Sequence, residues 1–374
     1  VYLEEVFLSP PPTFLTAVPI FIGIAAPQNA ANRENNREIA KPVLLRLWTE
    51  FIAAFWQVSK ENYLYSTVQG FFLNGGTQCY AVVLQSEDAL SDGLKQAEDV
   101  ADIDLVCAPG LSTERVYQQI LEHCAALGDR FAILDSPNES PDNDDSLDLY
   151  GSYGSLGSYG AMYGPWIQVE PAASLSKPRY VPPCGHVAGV YARSDREFGF
   201  HRAPANLVVE GVLGLGSQNF KHPRINQIQS VQGRGIRVWG ARTLSTEDNW
   251  KFINVRRVFI TVQRWIEATL ADVTFEPNDY KLWLRIEREV RTYLESLFRQ
   301  GAFRGKTIEE AFYVKCDEET NSPELRQQGQ VLTEIGLAPT VPGQFIVVRL
   351  IHDSTGVSLM PLKFSPSANT PPTS

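Results

Sequence analysis

The stretch from Gly235 to Gly301, GIRVWGARTLSTEDNWKFINVRRVFITVQRWIEATLADVTFEPNDYKLWLRIEREVRTYLESLFRQG, constrains this chain more than any other. It carries two helical patterns separated by a proline. From about Asn249, Phe252, Val255, Phe259, Val262, Ile266 and Leu270 recur at steps of three and four, which lines them along one helix face. Ser245 with Asp248 three residues on reads as a capping box just upstream. Pro277 lacks an N–H and its ring clashes with the preceding turn, so the first pattern ends before it. Asn278 is placed to cap a second helix, whose apolar face is Leu282, Ile286, Val290, Tyr293 and Leu297. Gly301 stands where a left-handed closing residue is wanted. The periodicity by itself predicts a packed helical hairpin.

Upstream, the pattern changes to strands alternating with helices. Phe14 to Ala26 reads as a buried strand ending near Gly23, and Asn29 to Arg37 as a polar loop. Pro42 to Trp56 reads as a helix with a broad face of Leu44, Leu47, Trp48, Phe51, Ile52, Phe55 and Trp56. In Val68 to Leu84 a Gly-Gly turn precedes a buried strand. Ile103 to Cys107 is a further strand, ended by Pro109-Gly110. A helix over Thr113 to Leu127 and a strand over Arg130 to Leu134 follow. Such alternation predicts an α/β layer. Pro137 to Gly164 differs in kind: an acidic run is followed by YGSYGSLGSYGAMYG. A Gly/Ser/Tyr tract has little to bury, so it reads either as a surface insertion or as a repeat-rich surface displayed on an assembly.

Pro165 to Val169 resumes the fold. Tyr180 to Arg193 suggests a helix packed tightly on a partner, and Arg202 to Leu215 a strand. Beyond the helical hairpin, Glu310 to Cys316 reads as a strand. Gln330 to Leu337 and Phe345 to His352 alternate as a β-hairpin across Pro339 to Gly343. Val357 to Phe364 is a last short apolar run, and the tail beyond Ser365 is expected to be disordered.

Three tempting chemistries fail on spacing. Gly301 and Gly305 before Lys306-Thr307 are one residue too close for a phosphate-binding loop and follow a helix, not a strand. Cys184, His186 and His201 lack the third group that a thiol nucleophile needs. The five cysteines, Cys79, Cys107, Cys124, Cys184 and Cys316, form no CxxC pair and read as reduced, buried thiols. No catalytic residue, cofactor site or metal site is expected. A formal net charge of −10 argues against a nucleic-acid protein. The run Phe14 to Ala26 is too short to span a bilayer. No signal peptide is read at Val1, which is not an initiator methionine.

Two features point outward. Val1 to Ser9 is strand-like and set off by Pro10 to Pro12; it is either a frayed terminus or an arm that adds a strand to a neighbour. Lys251, Arg256, Arg257 and Arg264 give the first central helix a basic face in an acidic protein. That face is either solvated and ion-paired within the chain or a contact for a partner.

Several strings resemble one family at length. RVWGARTL, WKFINVRR, FEPND and GAFRGKTIEEAFYVKCD resemble the C-terminal core of contractile tail sheath proteins, found in phage tails, R-type pyocins and extracellular contractile injection systems. GFFLNGG, APG, DRFAILD, YVPPCGHVAGVYAR and RAPANLVVEGVLGL look like the same family's N-terminal half, and the opening VYLEEV like its start. The resemblance runs from the first residues to about His352. It implies an α/β (α+β) subunit in two domains: an N-terminal arm over 1–20, an outer α/β domain over 21–175 with the insertion at 137–164, an inner tube-facing core over 176–355, and a C-terminal arm and tail over 356–374. It implies a structural, non-enzymatic subunit. That subunit polymerises helically around an inner tube, contracts to drive the tube through an envelope, and meets baseplate and cap proteins. Its alternatives are a baseplate or cap component of the same machine, or an α/β enzyme. The resemblance favours the arm: Val1, Tyr2, Leu3, Glu4, Glu5, Val6 and Phe7, with Val357, Leu359 and Leu362, would pair with a neighbour's sheet edge at Phe345, Val347, Arg349 and Ile351. It also tips Lys251, Arg256, Arg257 and Arg264 toward the tube. A particle made in the bacterial cytoplasm, then released or anchored, follows from the same likeness.

Overall fold

The structure, a computed structural model, describes residues 15–24, 41–138, 153–170, 178–216, 224–270, 276–340, 346–353 and 356–361. Its strands and helices, numbered in chain order, fall into two cores. The first is built on a nine-stranded sheet whose spatial order is β2 (Val43–Leu45), β3 (Cys79–Leu84), β1 (Pro19–Ile24), β4 (Leu105–Cys107), β5 (Phe131–Asp135), β6 (Gly160–Gly164), β11 (Ile225–Val231), β12 (Gly235–Trp239) and β9 (Leu207–Val208). From β3 to β11 neighbouring strands are parallel; β2, β12 and β9 add antiparallel edges. The runs CYAVVL and FAILD are buried at every position, the signature of parallel strands covered on both faces.

One face of the sheet carries α1 (Trp48–Ala54), α2 (Tyr63–Leu73) and α5 (Cys184–Phe198), and the other α3 (Leu90–Glu98) and α4 (Glu114–Leu127). The small residues read in Tyr180 to Arg193 serve the expected close packing. A Cβ on Gly185 would lie 2.2 Å from the Thr67 carbonyl oxygen, and one on Gly189 2.4 Å from that of Phe71. Strands β7 (Ile167–Val169), β8 (Arg179–Val181) and β10 (Val212–Leu215) form a small antiparallel sheet beside this core.

The second core joins α6 (Ile253–Thr269) and α7 (Tyr280–Arg299) to an antiparallel meander of β13 (Phe312–Lys315), β14 (Val331–Leu337), β15 (Ile346–Asp353) and β16 (Gly356–Pro361). The short helices α8 (Ile308–Ala311) and α9 (Pro323–Gln327) flank β13 and β14. Helix α6 belongs to both cores. Ile253 and Ile260 pack with the first, Val255, Phe259, Val262 and Ile266 with the second. Every residue from Ile253 to Ile266 is buried.

Several expectations need correction. The partition at 175/176 cuts the large sheet, because β9, β11 and β12 lie beyond it. Hydrogen bonding across β6 and β11 makes those strands part of the same unit. The tract 137–164 is not all insertion: Tyr153 is buried, Leu156–Tyr159 is a 3-10 turn, and Ala161, Met162 and Tyr163 of β6 are wholly buried between β5 and β11. Small residues are needed there, since a Cβ on Gly157 would lie 2.7 Å from the Leu244 carbonyl oxygen. Residues 139–152 of the tract lie outside the described ones. In Pro42 to Trp56 an edge strand precedes a shorter helix, whose start is held by Glu50 accepting from the N–H groups of Arg46 and Leu47.

At the central hairpin, Ser245 accepts from the Glu247 N–H and caps no helix; α6 begins at Ile253. Asp279 caps α7, accepting from Lys281 and Leu282. Asn278 instead takes the Trp283 indole N–H and donates to the Gln330 carbonyl. Gly301 does close α7, at φ +85°, with Ala302 N–H reaching back to the Leu297 carbonyl.

The C-terminal run also departs from expectation. Strand β16 returns onto β15 of its own chain, setting Arg349 opposite Met360 and Ile351 opposite Ser358. Only two residues separate Asp353 from Gly356, so closure is local and its entropic cost small. The edge read at Val347, Arg349 and Ile351 is therefore an inner strand, paired on both sides, and Val357 and Leu359 are in its intramolecular partner. Val1 to Phe7, Phe345 and Leu362 lie outside the described residues.

Candidate functional site

In an open parallel sheet, ligands enter the crevice at the carboxyl ends of the strands. Here protein side chains occupy that end. Asp135, at the end of β5, accepts from the Cys184 N–H at 2.8 Å and the Gly110 N–H at 3.2 Å. It thereby ties the loop after β4 to the start of α5. The Tyr63 and Trp166 rings meet edge to face at 5.1 Å, with the Arg179 guanidinium over Tyr63. Burial pushes the Asp135 carboxyl up to about 7 and raises the Cys184 thiol well above its ordinary value. It also lowers His186 to about 4. A protonated thiol and a neutral, deeply buried imidazole on different faces of α5 are a packing arrangement. All five cysteines are free and buried. Among the described residues no group of histidine, cysteine or carboxylate side chains is arranged to hold a metal.

The charged groups that organise the molecule lie instead around α6. Arg257 donates to both carboxylate oxygens of Asp195 on α5, at 2.7 and 2.5 Å, and lies 3.6 Å from Asp104 at the start of β4. Burial works against the Arg257 charge, but Asp195, joined by Asp104, outweighs it and its pKa is raised. Arg264 donates to the carbonyls of Ala101 and Asp102 at 3.0 and 2.9 Å and lies 3.7 Å from Asp104. Arg256 donates to Ser158 at 2.6 Å and stacks between Trp250 (3.6 Å) and Tyr159 (4.2 Å). Burial lowers Arg256 to about 10, against the weaker opposing pull of Tyr159 and Glu247. Lys251 pairs with Asp248 at the surface.

The tube-facing reading is thus corrected for Arg256, Arg257 and Arg264, while Lys251 of the same set stays at the surface. The side chains of Arg256, Arg257 and Arg264 are nearly inaccessible, because they clamp α6 to the first core. Asp104 and Asp195, which complete the clamp, were not singled out from sequence. The available signal was Asp104 standing one residue before the buried strand LVC, where an unpaired carboxylate is costly. The Asp104 carboxyl is lifted by burial against the pull of Arg264, Arg257 and the Ala17 N–H.

Residues 245–351 match the family model described as phage tail sheath C-terminal domain. The chain is 27% identical over 270 residues to a putative prophage major tail sheath protein of Pseudomonas aeruginosa, covering 68% of this chain and 66% of that protein. It therefore spans just under two thirds of the length of that relative, and less than half of two phage tail sheath proteins it also matches. Among solved structures it is similar to a chain of the anti-feeding prophage helical sheath in the contracted state, at TM-score 0.70 and 27% identity over 98% of both chains. It is likewise similar to a chain of an extracellular contractile injection system, the PVC sheath complex in the contracted state, at TM-score 0.72 and 28% identity, covering 91% of this chain and 94% of that one.

Proposed function

We propose that this chain, which belongs to the contractile tail sheath family, polymerises helically around an inner tube and shortens to drive that tube forward. The observation that carries the reading is the likeness over 98% of both chains to the subunit of a contracted helical sheath. The clamp around α6 supports it in physical terms. A subunit that changes neighbours during contraction must keep its own shape, and three buried guanidiniums hold the two cores as one body. Energy then resides in the difference between two lattice packings of one folded subunit. Baseplate and cap proteins are its expected partners at the two ends, and release in a tail-like particle or anchoring in the cell its expected fates. No helix among the described residues is long and apolar enough to cross a membrane.

Val1 to Phe7 are the proposed link between copies. Since β15 is paired on both sides, the receiving strand is an outer one of the meander, β13 or β16. Co-expression with the tube protein, followed by negative-stain imaging, tests the function. Rods with this chain along their whole length are expected. A discrete small oligomer, or density at one end only, would replace this reading with an enzyme or a baseplate component.

A further inference from the structure

The first described residues of the chain are held by groups distant in sequence. Asp104 accepts from the Ala17 N–H at 2.8 Å and from the Val18 N–H at 2.6 Å. The Val18 carbonyl in turn accepts from the Asp104 and Leu105 N–H groups. Ala17 sits at φ +56°, a left-handed conformation that an L side chain disfavours and that its surroundings must enforce. The same Asp104 carboxylate faces Arg257 at 3.6 Å and Arg264 at 3.7 Å, both on α6, and Arg264 also reaches the Leu15 carbonyl at 3.5 Å. The next residue along, Pro19, opens β1 and has no N–H to give. One carboxylate therefore joins the point where residues 1–14 meet the fold to the helix shared by both cores.

We infer that Asp104 is a positioning residue that fixes the backbone at Ala17 and Val18, where residues 1–14 join the fold, and locks that attachment point to α6. Attachment through β1 alone would pass a pull on residues 1–14 into one strand of one sheet. Attachment through Asp104 passes it to α6, and so to both cores. The inference rests on the proposed role of residues 1–14 as the link between copies, but the anchor itself is a property of the single chain.

The test uses the full chain with Asp104→Asn, and separately Arg264→Met, which loosens the coupling while leaving Asp104 its two N–H bonds and Arg257. Amide exchange at Ala17 and Val18 should accelerate about tenfold or more in each variant, while amides of β3 and β5 keep their rates. Nitroxides at Leu15→Cys and Arg288→Cys, both exposed positions, read against the buried native thiols, should show a distance distribution about twice as broad as in the parent. Unchanged exchange at Ala17 and Val18, or equal acceleration throughout β3 and β5, would overturn the anchor. Local acceleration in a chain that still builds sheaths of parental lattice would keep the anchor and remove the linking role of residues 1–14.

Discussion

Arg256 and Arg257 are adjacent on α6 and both buried, yet they answer to different physics. Arg257 faces two buried carboxylates; removing it takes from Asp195 its bidentate partner and from Asp104 one of its two arginines. Breaking such a pair costs roughly 3–5 kcal/mol. Arg256 has aromatic faces and one hydroxyl, so a methionine there forfeits only about 1–2 kcal/mol of cation–π attraction. Arg257→Met should thus lower the melting temperature much more than Arg256→Met; equal effects would mean that the Asp104–Asp195 pairing is not what secures α6. Glu267 supplies a pH dependence. It lines a cleft of about 440 Å³ with Leu15, Asp102, Asp129 and Arg264, and burial raises its carboxyl from 4.5 to about 7. An acid whose pKa is raised on folding favours the folded state most below its unfolded value. Its contribution falls as pH rises from 4.5 through about 7. Glu267→Gln should remove that slope and stabilise the chain at pH 8 by on the order of 2 kcal/mol, read from urea midpoints. A parallel pH profile for parent and variant would show that Glu267 titrates like a solvated carboxylate.

At the scale of elements, legibility followed the number of local signals. α4 carried Thr113 at its cap and Gly128 in the left-handed position after it, and its bounds were readable to a residue. α7 carried a clean apolar stripe and Gly301, although the capping role passed from Asn278 to Asp279. Strand β6 was missed because AMY sits in a repeat of glycine, serine and tyrosine, and composition cannot tell a solvated tract from one whose small residues admit close neighbours. The same blindness hid the clamp. A basic stripe looks alike whether it faces water or buried carboxylates, and Asp104 and Asp195 lie 62 to 160 residues away from the arginines that meet them. The corrected boundaries predict a sharp asymmetry. Replacing residues 139–152 by a short Gly/Ser linker should leave the melting transition in place, since loop length enters closure entropy only logarithmically. Extending the replacement through Tyr159 removes buried Tyr153, the Ser158 partner of Arg256 and the turn that leads into β6. The chain should then fail to yield soluble protein; a soluble, cooperatively melting product would show that β6 does not need this approach.

At the scale of the whole molecule, the fold-back of β16 changes what holds copies together. With the C-terminal strand closed on its own subunit, the sheet of the second core is already four strands wide. On the proposed strand addition, a neighbour would connect through an outer edge, which otherwise presents unpaired N–H and carbonyl groups to any passing strand. In sequence, Val1 to Phe7 has the alternation to fill such an edge and is followed by three prolines, Pro10 to Pro12. About four backbone hydrogen bonds at roughly 0.5–1.5 kcal/mol each give a few kcal/mol per link. That is weak for one pair of molecules, but it repeats at every subunit of a helical array. The start of the described core does not depend on it, since Ala17 and Val18 are tied down by Asp104 and Pro19 to Phe21 pair with β4. Deleting Val1 to Ser9 should therefore leave the circular-dichroism spectrum and melting transition of the unassembled chain unchanged while abolishing rods in the presence of tube protein. Rods of parental length from the truncated chain would show that the copies are joined through surfaces of the two cores and not through the N-terminal strand.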